Sequence, residues 1–347
     1  MSRFVVIRSK RPSYSVQMDK RAVIILSVLI LLLAGISIIS IGMGSIQIPV
    51  AEVLKSLVGL GDSTHQLVVL ELRVPRIVVA VLVGVSLAIS GAILQALIRN
   101  PLASPDLVGT TNGATAAAVA FIAFSNGAYS IHWLPFVALI GGFLAAFLTY
   151  WASWKKGLSP FRFALIGVTI STAMAALTIF FLISGPLYLA SQAMGWMSGT
   201  VYGSSWDHVF TLLPWTVGFL LITLVQARTL NVQELGDDIA KGVGVQVERK
   251  RLLMIAVSVA LAAAAVGIGG GIGFVGLMAP HMARKLVGSS FGSLLLASAL
   301  LGGLFVLIAD LVARTVFVPL DVPAGVFTAA VGAPFFMYLL YRSRNRE

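Results

Sequence analysis

The chain has 347 residues, 58% of them hydrophobic and 11% charged, with a mean hydropathy of +0.98. No water-soluble domain of this length could present that composition without aggregating, which leaves an integral membrane protein with several crossings. A formal charge of +11 would suggest nucleic acid in a soluble protein but here reflects membrane orientation; with no cysteine, disulfides and thiolate metal sites are excluded, and four scattered histidines argue against a His-based metal centre.

Residues 1–20 read as a polar cytoplasmic tail rather than a cleavable signal, because the apolar run behind them is long enough to span. Apolar spans follow near residues 21–42, 74–98, 107–124, 133–154, 161–183, 207–227, 251–268, 273–287, 291–314 and 324–341. The eighth is short, follows the glycine-rich turn from Gly267 to Gly273, and is expected to enter the membrane only part of the way. This predicts an all-α polytopic membrane protein of about ten transmembrane helices with both termini cytoplasmic, in one transmembrane domain over 21–341, and a short tail at 342–347. Charge tests the topology. The cytoplasmic segments then hold Arg3, Arg8, Lys10, Arg11, Lys20, Arg21, Arg99, Lys155, Lys156, Arg162, Arg228, Lys241, Arg249, Lys250, Arg251, Arg284, Lys285, Arg342, Arg344 and Arg346. Those are 20 of the 24 basic residues, and only Lys55, Arg73, Arg76 and Arg314 fall outside.

Within the spans, small residues recur at four-residue spacing: Gly84 with Ala88, Ser86 with Ser90, Gly141 with Ala145, Gly142 with Ala146, and Gly325 with Ala329 and Ala333. Such faces let helix backbones approach closely in lipid, where apolar contact alone supplies little drive.

The only long polar interruption of the second half lies at 228–250. Asn231 and Glu234 have the spacing of a capping box; Leu235, Ile239 and Val243 share one helical face; Gly242 and Gly244 supply a stop. The pattern predicts one short helix of about ten residues, too polar for lipid and tied to long spans on both sides. It is either an element that is pushed or pulled, or a solvated linker.

A transporter needs an energy source, and the chain has no G-x-x-x-x-G-K-[ST] loop to cradle nucleotide phosphates. Asp310 is the only acid well inside a span and is expected to form a local ion pair with Arg314, while His281 lacks an H-E-x-x-H partner, so an enzyme is not indicated. What remains is a conduit that borrows energy from a partner, with a proton-driven exporter or a structural membrane subunit as rivals.

LRVPR at 72–76, SGAILQALIRNPLASPDLVGTTNGA at 90–114, ELGDDIAKGVG at 234–244, GIGFVGLMAPHMARKLVG at 271–288, and ADLVAR followed by DVPAGVFTAAVGAPFF occur in order at family-like spacing. Together they resemble the permease subunits of iron-siderophore (FecCD-type) ABC importers, the family that also holds the cobalamin permease. The resemblance implies a type II ABC importer permease architecture in the bacterial cytoplasmic membrane. It also implies a second permease subunit, identical or paralogous, two cytoplasmic ATPase subunits that bind ATP and Mg, and an extracytoplasmic binding protein. The cargo would be a ferric siderophore or a related chelate such as cobalamin or haem; no cofactor in this chain and no nucleic acid are implied.

Residue by residue, the resemblance assigns coupling to the ATPase to Glu234, Leu235, Gly236, Ala240 and Gly244, and docking of the binding protein to Arg73, Arg76 and Arg314. Snorkelling anchors are the alternative for the arginines. A translocation path is expected along Ser86, Ser90 and Gln95 of the second span and Ser171 and Thr172 of the fifth, unless those groups satisfy carbonyls between helices. The chain departs from the family at SSFGSLL, 289–295, where many members have D-H-R, and at Asp321, where they have Glu.

Overall fold

A computed structural model describes residues 4–10, 13–44, 46–125, 130, 133–155, 157–317 and 321–344. Arg3, Arg11, Lys156 and Arg346, counted above as cytoplasmic, lie outside the described residues. Two strands, β1 Phe4–Lys10 and β2 Ser13–Asp19, pair antiparallel from Phe4 opposite Asp19 to Lys10 opposite Ser13. This corrects the all-α expectation for the tail. FVVI and SYSV are rich in strand-favouring side chains, and only residues 11 and 12 separate the two runs, so a local hairpin forms.

The helices follow in order: α1 Lys20–Gly42, α2 Val50–Leu57, α3 Ser63–Leu67, α4 Val74–Ile98, α5 Thr110–Ser125, α6 Leu134–Ser153, α7 Pro160–Ser184, α8 Leu187–Met197, α9 Trp206–Val225, α10 Ala227–Glu234, α11 Asp237–Gly242, α12 Val247–Gly269, α13 Val275–Val287, α14 Phe291–Val316 and α15 Ala324–Arg344. Every expected span is helical; the largest shift is at α12, which begins at Val247 rather than 251. Between α3 and α4 lies a π-helical turn, Val68–Arg73, in which the Val74 N–H reaches back to the Val69 carbonyl. Pro75 explains the widening, since it has no N–H with which to continue the tighter ladder.

Among the described residues, seven helices are long and apolar enough to cross a membrane: α1, the continuous rod Ser63–Ile98, α6, α7, α9, α12 and α14. The other three expected spans are shorter. Helix α5 has 16 residues, α13 has 13, and the apolar part of α15 is Ala324–Leu339. At about 1.5 Å per residue, α5 reaches roughly 24 Å, less than the ~30 Å hydrocarbon core; a 3-10 turn at Pro105–Val108 extends it at its inner end.

Helix α4 is the axis of the bundle, packed by α14, α12, α13 and α9. Its neighbours come close because glycine faces glycine: a Cβ on Gly84 would run into the Gly302 carbonyl of α14, and one on Gly91 into the Gly276 carbonyl of α13. The Gly141 face of α6 meets Gly113 and Ala117 of α5 in the same way. In contrast, only 11% of the spanning window of α7 is buried within the chain, against 83% for the rod containing α4.

Candidate functional site

The polar segment lies against the Arg99 end of α4, the start of α12 and the end of α13, and it is not one capped helix. Asn231 sits inside α10, and its Oδ1 accepts the Phe291 N–H at 2.8 Å at the start of α14. Glu234 accepts from Arg284 of α13 at 3.1 Å. Long-range partners thus take both residues of the expected capping box, and the chain becomes helical four residues earlier, at Ala227. The break comes at Gly236, whose φ of 122° is open only to glycine without strain, and α11 starts afresh behind it. Ala240 is fully buried, and Gly244 closes the turn with its N–H on the Lys241 carbonyl at 2.9 Å. Leu235, Ile239 and Val243 are 66%, 53% and 65% exposed, leaving an apolar face uncovered on a polar element.

A second acid matters more than the sequence suggested. Asp237 accepts two bonds from Arg251 of α12, at 2.7 and 2.8 Å, and one from Arg99 at the end of α4, at 3.2 Å. Arg251, counted from the sequence only among the cytoplasmic bases, is 3% exposed and also donates to the Leu158 carbonyl, just before α7.

At the other end of α4, the three outer arginines are turned inward. Arg73, 8% exposed, donates to the carbonyls of Ile41 and Ile46. Arg76 binds Asp310 of α14, with 2.7 Å as its shortest contact, binds Asp321 through two bonds of 2.9 Å, and lies 5.4 Å from the centre of the Tyr202 ring. Arg314 donates to Met43 O at 2.8 Å and to both oxygens of Ser40. The local pair expected between Asp310 and Arg314 forms, at 3.5 Å, but Arg76 is the closer partner of Asp310. Sequence spacing carried no signal for this pair, whose members are 234 residues apart.

The path expectation divides. Ser86 and Ser90 are fully buried and Gln95 is 2% exposed. Ser86 bonds Thr216 of α9 and Ser90 bonds Ser258 of α12, each at 2.8 Å, and Gln95 donates to the Leu277 carbonyl at 3.2 Å. Ser86 and Ser90 thus bond neighbouring helices within this chain, whereas Gln95 also lines a cavity with Arg99, Glu234 and Arg284. Thr172 is exposed, with its hydroxyl returned to the Val168 carbonyl; Ser171 is half-buried, donates to the Asp106 carbonyl at 2.9 Å, and receives Asn112 Nδ2 at 2.6 Å. Asp106 belongs to the turn before α5.

The FecCD transport family matches residues 29–342. YfhA of Bacillus subtilis, whose name is that of a siderophore transport system permease, is 48% identical over 94% of this chain and 97% of its own length. CbrC of Dickeya dadantii, an achromobactin transport system permease protein, is 43% identical over 96% of this chain and 95% of its own. A structure described as a metal-chelate type ABC transporter in an inward-facing conformation superposes with a TM-score of 0.83 at 32% identity, covering 92% of this chain and 99% of that one. The chain belongs to the FecCD transport family.

Proposed function

We propose that this chain is the membrane permease subunit of an ABC importer that carries a ferric siderophore into the cytoplasm. It crosses the membrane ten times with both termini inside, beside a second permease chain, above two ATPase subunits that bind ATP and Mg, and below an extracytoplasmic binding protein. The observation that carries this reading is α11. The short polar helix and the turns on either side of it display Ile239, Leu235 and Val243 to solvent at the basic end of the bundle, while Asp237 and, before the break, Glu234 are tied to the spans. An apolar face on such an element calls for a protein partner, and the energy source absent from the sequence has to be one.

The arginine docking reading takes a modified form. Asp321 is the outer and more exposed acid on Arg76, at 29% against 1% for Asp310. A carboxylate of the binding protein would therefore reach Arg76 by exchanging with Asp321, leaving the Asp310 pair in place; Arg73 and Arg314 brace that rim. Ser171 and Thr172, on the most exposed polar stretch of α7, line the path shared with the second permease chain. A cobalamin or haem cargo is the alternative, supported by 39% identity to a Halobacterium salinarum cobalamin import permease over 82% of this chain.

The test is purification and uptake together. ATPase subunits are expected to copurify and to drive vanadate-sensitive uptake of radioactive iron supplied as achromobactin, hydroxamate or citrate complexes. Leu235→Asp with Ile239→Asp is expected to release the ATPase. Uptake that needs no ATPase and collapses with the proton gradient would replace the reading with a proton-coupled membrane transporter.

A further inference from the structure

We infer that Asp237 is the positioning residue that transmits movement of α11 to the spans; the inference rests on reading α11 as the contact with the ATPase. Gly236, at φ 122°, separates α11 from α10, so α11 is a short lever in its own right rather than the end of a longer rod. Glu234 and Asn231 lie before that break and tie α10, to α13 and α14 respectively. Asp237 lies after it, in the first turn of the lever, and joins α11 to the bundle in two directions.

One direction is α12. Both oxygens of Asp237 are held by Arg251 Nη2, at 2.7 and 2.8 Å, and the same guanidinium donates through Nη1 to the Leu158 carbonyl at 3.2 Å. Leu158 lies in the connection that leads into Pro160, the first residue of α7, so the link runs from the lever to the foot of the helix that carries Ser171 and Thr172. The other direction is α4. Arg99 caps that helix in a left-handed conformation, φ 54°, which is uncommon for a residue with a side chain, and its Nη2 reaches Asp237 at 3.2 Å. One carboxylate therefore connects the lever with the central helix, with α12 and with α7.

Arg251 Nη2 bridges both carboxylate oxygens while Nη1 of the same rigid guanidinium is held on the Leu158 carbonyl, so a shift of Asp237 bears on both attachments of the group. Arg251 has no easy substitute. Its remaining acidic contact is Glu248 at 3.4 Å, and its Nε has no partner, so loss of Asp237 leaves a nearly buried guanidinium poorly compensated.

A plain structural pair would affect folding and assembly but not the amount of chelate moved per ATP. The test uses the complete complex in proteoliposomes, with radioactive iron presented as achromobactin, hydroxamate or citrate complexes, and a Thr172→Cys reporter, possible because the chain has no cysteine of its own. Asp237→Asn is expected to keep its ATPase bound while iron moved per ATP falls about tenfold, within the usual range for coupling between sites. Maleimide labelling at position 172 is expected to become the same with and without ATP and vanadate. Asp237→Glu should restore part of the ratio, and Arg99→Gln, which cuts only the α4 link, should give a smaller loss.

An unchanged ratio and unchanged nucleotide-dependent labelling in Asp237→Asn would overturn the inference. If that variant fails to assemble, Arg99→Gln decides: a wild-type ratio there overturns it, a reduced ratio upholds it. Failure of the underlying reading looks different, because the ATPase would then remain bound after Leu235→Asp with Ile239→Asp.

Discussion

The two ends of α4 carry similar ion pairs used in opposite ways. At the outer end, Arg76 meets Asp310, which is 1% exposed and fixed on the long helix α14. At the inner end, Arg99 meets Asp237, which is 26% exposed and mounted on a six-residue helix behind a glycine break. The first pair cannot open without stranding a buried charge, so it clamps α4 to α14. The second can open at small cost, because both partners are part-exposed and water can replace either, while Asp237 stays on the nearly buried Arg251. What distinguishes a brace from a linkage here is the size and burial of what the acid is attached to.

The largest effect expected from breaking this contrast is on the brace. Asp310→Ala leaves Arg76 without its buried partner and should cost about 3–5 kcal/mol, read as a lower unfolding temperature or loss of detergent-soluble protein. A cost no greater than that of Asp237→Asn would erase the distinction between the two ends. Midway along the helix, where Gly84 meets Gly302, Gly84→Val should separate α4 from α14 and destabilise by roughly 1–3 kcal/mol in the same assay.

Smaller again is Ser90→Ala, which removes the hydroxyl bonded to both the carbonyl and the hydroxyl of Ser258, at about 1 kcal/mol for each buried bond. Ser90→Cys should stay unlabelled by an impermeant maleimide in every nucleotide state, whereas Thr172→Cys should react in at least one; the opposite pattern would put α4 back on the path. The smallest effect belongs to the inner end. Glu234→Gln breaks a half-exposed pair and should cost only ~0.2–1 kcal/mol, diminishing as salt rises.

The positions of the helices and their close-packing faces were legible in the residues. Runs of apolar side chains have to be helical in lipid, because each backbone polar group needs an internal partner there. The small residues at Gly84, Gly141 and Gly142 marked real approaches for a similarly local reason: side-chain volume alone decides how near two helices come. The functional groups were legible by region rather than by partner. Asn231 and Glu234 have perfect spacing for a cap, yet Phe291 and Arg284, far along the chain, take their oxygens. Ser86 and Ser90 carry the same hydroxyl as Ser171, and nothing in the sequence says that α4 is enclosed while α7 is not.

Composition and periodicity by themselves determined a membrane-spanning helical chain with a polar inner segment and basic residues gathered on one side, because hydropathy, helical period and charge are properties of each stretch taken alone. Tertiary structure alone decided that Arg76 closes on Asp310 and Asp321, that Asp237 joins Arg99 to Arg251, and which serines are sealed inside the bundle. Those outcomes depend on which helices become neighbours. A carboxylate in a low-dielectric interior binds the guanidinium that packing brings within about 3 Å, whatever the distance between them along the chain.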